Sequence, residues 1–127
     1  MLTTKNLIIS TFKLLLLFYF VVCVLLYFFQ EKLIFFPVKL NKDFKFDFKE
    51  PFTEVNIKTE AGLMHGLLFT SDSAKGLVFY LHGNAGAVDS WGEVARTYTD
   101  LNYDVFVLDY PGYGKSGGSI KSEKPTI

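Results

Sequence analysis

The sequence predicts an α/β fold behind an N-terminal transmembrane helix, and three observations carry that expectation. Residues Leu14–Phe29 include no charged side chain. Two short runs, Leu77–Leu81 and Val105–Leu108, are apolar at every position, as strands of a parallel sheet covered on both faces are. Between them, apolar residues recur at helical spacing, so strand, helix and strand follow within about 35 residues, the length of a right-handed parallel crossover.

The first element is the anchor. Of the sixteen positions in Leu14–Phe29, thirteen are Leu, Val or Phe. At about −0.4 kcal/mol each, the run favours a bilayer by on the order of 5 kcal/mol. Sixteen helical residues reach only about 24 Å, so the span is expected to start at Leu7, with Lys13 snorkelling to the headgroups. Tyr27, Phe28, Phe29, Phe35 and Phe36 suit the far interface. No small-x-small site follows the run, which favours an uncleaved anchor over a removed signal peptide. Lys5, Lys13 and the amino terminus suggest N-inside, although Lys32, Lys39, Lys42 and Lys45 crowd the other flank. The lone Cys23 lies inside the apolar run with Val22 before it, a poor context for lipidation and no basis for a disulfide. Formal charge sums to zero over 127 residues, so there is no basic field for nucleic acid.

The organisation expected is an anchor over residues 1–36, a linker over 37–50 and an α/β domain over 51–127. In the linker, Asp43–Lys49 alternates charge with Phe and reads as a connector, or an edge strand, whose phenyl rings touch the domain or the bilayer. Glu54–Thr59, with Val55 and Ile57 on one half-buried face, turns through Ala61–Gly62 into Leu63–Phe69, a hairpin. Leu77–Leu81 runs into His82–Gly83–Asn84–Ala85–Gly86. Ser90–Glu93 then fits a capping box, and Trp91, Val94, Ala95, Tyr98 and Leu101 share a helical face that Asn102 stops. From Pro111 onward the chain reads as loop.

Two motifs in that loop mislead. Gly114–Lys115–Ser116 resembles the end of a phosphate-binding loop, but the first glycine of that pattern falls on Asp109. Gly114–Gly118 satisfies G-x-S-x-G, yet Tyr110–Tyr113 separates Ser116 from its strand and no helical pattern follows, so the strained strand-to-helix turn that exposes a nucleophile is missing. Ser116 is read as a loop serine and His65 as an ordinary strand residue.

The third pattern is informative. An apolar strand entering His82–Gly83–Asn84–Ala85–Gly86, followed one crossover later by Asp109–Tyr110–Pro111–Gly112–Tyr113–Gly114–Lys115–Ser116, resembles the α/β-hydrolase superfamily, and within it the membrane-anchored Bem-type serine hydrolases. The resemblance covers Glu54 to Ser122. It implies a truncated α/β-hydrolase sheet, the N-terminal strands plus the first crossover helix, after the transmembrane helix. It implies that Asn84, with Ala85 beside it, supplies oxyanion-hole N–H groups, and that His82, Gly83 and Gly86 shape the loop. Asp109 is implied to shape the loop after it, and Pro111 stands where the family often has Arg. It further implies no cofactor and no metal. The nucleophile, acid and base would follow in the order Ser, Asp or Glu, His, all of them past the crossover and beyond Ile127. The expected function is the N-terminal part of a membrane-anchored serine hydrolase acting on an ester, thioester or amide, inactive by itself. The rival is a non-catalytic membrane-anchored interaction protein of hydrolase descent.

Overall fold

A computed structural model of the chain describes residues 3–60 and 62–120, in two compact units that divide between Ile34 and Phe35. Ala61 and Ser122 lie outside the described residues, and with them the turn through Ala61 and the last positions of the resemblance.

The first unit is one helix, α1, Thr4–Ile34. It is about a turn longer at each end than the span read from the charge-free run, and its 31 residues rise about 46 Å, enough to cross a bilayer. None of its residues is buried, which separates it from a core helix of the same composition. Lys32 sits in the last turn, where a cation complements the helix dipole.

The second unit begins with β1, Phe36–Pro37. The strands β2, Phe52–Thr59, and β3, Gly62–Phe69, pair antiparallel from Phe52↔Phe69 to Thr59↔Gly62, the hairpin that the alternation predicts. After them come β4, Leu77–Leu81, and β5, Ala85–Gly86. Next are α2, Val88–Trp91, a 3₁₀ turn over Gly92–Val94, and α3, Ala95–Thr99. The last strand, β6, is Asp104–Leu108. The main sheet runs β2-β3-β6-β4, with β6 antiparallel to β3 and parallel to β4, so the expected parallel crossover is present.

The helix between β4 and β6 differs from expectation in three respects. It starts at Val88 rather than after Ser90, and the capping box does not form: Ser90 Oγ donates to the Ala87 carbonyl instead. Gly92 interrupts it, because the Phe48 ring sits against that glycine where a Cβ would stand. Leu101 is exposed rather than part of the buried face, since the helix has ended by then. Asn102, with φ of 63°, ends it as read, and the Tyr103 N–H reaching the Tyr98 carbonyl at 3.1 Å and the Asn102 N–H reaching Thr99 complete a Schellman motif.

The core is Leu67, Phe69, Val88, Ala95, Val105 and Val107, all fully buried, with Val78, Tyr80, Trp91 and Tyr98 packed around it. Phe46 and Phe48 of the connector join this core: Phe48 meets Phe69 edge-on at 5.3 Å, and Phe46 stacks on His65 at 5.6 Å. Two expectations of burial are corrected. Ile57 is 41% exposed, because the hairpin extends past the rest of the sheet at that end. Strand β4 is not covered on both faces: Leu77, Phe79 and Leu81 are 60%, 54% and 54% exposed, while Val78 and Tyr80 pack inward. Helices α2 and α3 pack on the core face through Val88 and Ala95, and β4 is the edge of the sheet.

Candidate functional site

The loop that follows β4 carries the His-Gly-Asn-Ala-Gly pattern, and nearly every carbonyl in it is tied back to the domain. The Tyr110 hydroxyl donates to the His82 carbonyl at 3.0 Å. His82 Nδ1 donates to the Gly83 carbonyl at 2.8 Å. The Asn84 carbonyl accepts from the Tyr113 hydroxyl at 2.7 Å and from the Phe36 N–H at 2.9 Å, and the Gly86 carbonyl accepts from the Val38 N–H at 3.0 Å. A trans peptide is planar, with its C=O and the next N–H pointing in opposite directions, and the chain has no cis bond. Holding the Gly83 and Asn84 carbonyls inward therefore turns the N–H groups of Asn84 and Ala85 the other way, at two residues that are exposed.

This posture depends on the segment after α1. Residues Phe36 and Pro37 pair parallel with Ala85 and Gly86, and Lys39 bridges to Gly114, with the Gly114 N–H donating to the Val38 carbonyl and the Leu40 N–H to the Gly114 carbonyl. Lys39 Nζ also donates to the Ser116 carbonyl at 2.7 Å. One extended segment thus laces together the loop after β4 and the loop after β6.

Asp109, at the end of β6, is fully buried and lies between two buried histidines. Its Oδ1 accepts the Val88 N–H at 2.8 Å, which caps the start of α2, and stands 3.4 Å from His82 Nε2. Its Oδ2 stands 3.8 Å from His65 Nδ1. Burial alone would push this carboxyl up, but the two imidazoles and the Val88 N–H outweigh it and hold the group below the usual carboxylate range. Gly114 is required beside it: its φ is +46°, and a Cβ there would overlap the carboxylate. Glu54 is likewise held below its ordinary value, burial being outweighed by Lys115 Nζ at 2.7 Å and His65 Nε2 at 2.9 Å.

The misleading motifs resolve in the same network. Ser116 is buried, its hydroxyl accepts from the His65 N–H at 2.8 Å and donates to the Asp109 carbonyl at 2.7 Å, and it faces no imidazole nitrogen in these bonds. Lys115, the lysine of the phosphate-loop look-alike, is paired with Glu54 and lies over the Phe46 ring at 4.6 Å. His65, read as an ordinary strand residue, is instead joined to Glu54 and faces Asp109. The sequence carries one signal for this grouping: an acidic residue closing an apolar strand, followed at short range by Gly-x-Gly, which leaves room for a buried carboxylate.

No protein-family model matches the chain. It is 33% identical over 81 residues to the protein bem46 of Schizosaccharomyces pombe, covering 61% of this chain and 26% of that protein. It is 35% identical over 49 residues to YfhR of Escherichia coli K12, covering 39% of this chain and 17% of that one. Its fold is similar to that of the Pyrococcus furiosus esterase Pf2001, with a TM-score of 0.50 and 21% identity over 67% of this chain and 34% of that structure. The chain spans about a quarter of the length of the bem46 relative it matches.

Proposed function

We propose that this chain, hydrolase-like in origin, is the oxyanion-loop portion of a membrane-anchored serine hydrolase acting on an ester, thioester or amide. The observation that carries this reading is the outward turn of the Asn84 and Ala85 N–H groups. Donors fixed in advance stabilise charge developing on a carbonyl oxygen, because no reorganisation is needed at the moment of reaction. His82, Gly83 and Gly86 set the path of that loop and do not react.

By itself the chain does not turn over substrate in this proposal. A serine is a weak nucleophile without a base within hydrogen-bond reach, and Ser116 is buried with its hydroxyl held by backbone groups. Helix α1 is the bilayer anchor, with the N-terminus on the cytoplasmic side and the domain on the other. Its 31 residues and the charge-free apolar run within them support an anchor.

One experiment addresses both parts. Membranes bearing the chain are washed with alkaline carbonate and treated with a fluorophosphonate probe. The chain should remain in the pellet and stay unlabelled. Release into the supernatant would refute the anchor, and labelling that Ser116→Ala abolishes would refute the non-catalytic reading of this chain.

A further inference from the structure

We propose that the cleft between Phe35 and the loop after β6 is a binding site for an uncharged apolar group about the size of a benzene ring. It lies wholly within the second unit, encloses about 160 Å³ and is lined by Phe35, Tyr110, Pro111, Tyr113, Ser119 and Ile120. The site rests on the cleft itself, whether or not the loop after β4 serves an oxyanion.

The walls are held by the protein's own bonds. Strands β4 and β6 run parallel, so the loops after them leave the same end of the sheet. In open α/β sheets, ligands bind in the crevice outside the carboxyl ends of the strands. The loop after β6 doubles back on itself: the Tyr113 N–H donates to the Tyr110 carbonyl at 2.9 Å and the Gly112 N–H to the Gly117 carbonyl at 3.0 Å. Gly112, with φ of +89°, lets Ile120 cross that turn, because a Cβ there would stand 3.0 Å from the Ile120 nitrogen. The rings of Tyr110 and Tyr113 meet edge-on at 5.8 Å, and their hydroxyls donate to the His82 and Asn84 carbonyls. Phe35 is placed by its neighbour Phe36, whose N–H donates to the same Asn84 carbonyl. Walls fixed in this way leave little ordering cost for a ligand to meet.

The lining decides the occupant. None of the six residues is charged, and both phenol hydroxyls donate into loop carbonyls rather than into the cleft. A charged group would give up water here without a partner to replace it. An apolar group gains instead, by burial against Phe35, Pro111, Ile120 and the two tyrosine rings. Size sets the limit. An apolar cavity of about 150 Å³ holds benzene, whereas pockets for drug-sized ligands run to about 300–1,000 Å³. One aromatic ring fits, and a long acyl chain does not.

The test uses NMR of the full chain with ¹³C-labelled isoleucine methyl groups, in lipid nanodiscs because detergent tails would compete for the cleft. Toluene and methyl benzoate should each shift the Ile120 methyl saturably and show nuclear Overhauser contacts to it. The methyls of Ile8 and Ile9 in α1 report partition into lipid by the same spectra. Benzoate, the same ring with a charge, and decyl acetate, a long chain, should leave Ile120 unmoved. Ser119→Trp, at an exposed position on the rim, should fill the cleft and abolish the toluene shift, and Phe35→Ala should widen it and admit decyl acetate. An Ile120 methyl that toluene and methyl benzoate leave unmoved, or that benzoate or decyl acetate moves as readily in the unaltered chain, would overturn the site. So would a toluene shift unchanged in both variants.

Discussion

The two faces of the sheet are built from equally apolar sequence and meet different fates. On one face Leu67, Phe69, Val105 and Val107 are fully buried beneath α2, α3 and the connector's Phe46 and Phe48. On the other, Leu77, Phe79 and Leu81 are more than half exposed at the sheet edge. Phe79 is 54% exposed, with the Phe106 ring beside it at 5.5 Å. The contrast teaches that an all-apolar strand specifies what it could bury and not what will arrive to cover it. It also separates residues that hold the described domain together from residues that mainly govern how it meets other molecules.

Substitutions should rank accordingly. Phe69→Ala, on the covered face, should cost about 3–5 kcal/mol, the usual loss for a buried phenylalanine, read by urea unfolding of the full chain in detergent. A loss under about 1 kcal/mol would mean that this face is not the core.

The next effect concerns the polar centre set into that covered face. Asp109 and Glu54 are both held below the ordinary carboxylate range. A depressed carboxylate stabilises the fold above its unfolded value, near pH 4, and that stability is lost as pH falls through the folded value. Unfolding midpoints should therefore decline progressively below about pH 4–5. In Asp109→Asn the protein should be weaker at neutral pH, by about 2–3 kcal/mol for a hydrogen bond to a charged group, and its acid decline shallower. An unchanged acid profile in that variant would remove Asp109 from the linkage.

The smallest effect on stability belongs to the open face. Phe79→Ser should change unfolding by under about 1 kcal/mol. It should nonetheless reduce self-association measured by light scattering, because it breaks an exposed apolar row on an unpaired edge strand. A large destabilisation with unchanged association would show that this face is covered after all.

Much of this was legible in the sequence, and for local reasons. The charge-free run marks α1, alternation in the first strand and the turn after it mark the hairpin, the two apolar runs mark β4 and β6, and Asn102 marks the helix stop through its tolerance of positive φ. Each of these is a preference expressed within one turn or one strand of chain. The α/β-hydrolase type follows from two loop motifs read together, because those loops need particular residues at fixed offsets from a strand end. Tertiary structure alone decided the rest. That His65 faces Asp109 depends on β3 pairing with β6, and that Asp109 caps α2 in place of a capping box depends on where the crossover returns. The break at Gly92 depends on where Phe48 docks, and the exposure of Phe79 on what lies over it. Burial and the pairing of polar groups are properties of space between segments, and a chain states its own periodicity without stating which distant segment will fill that space.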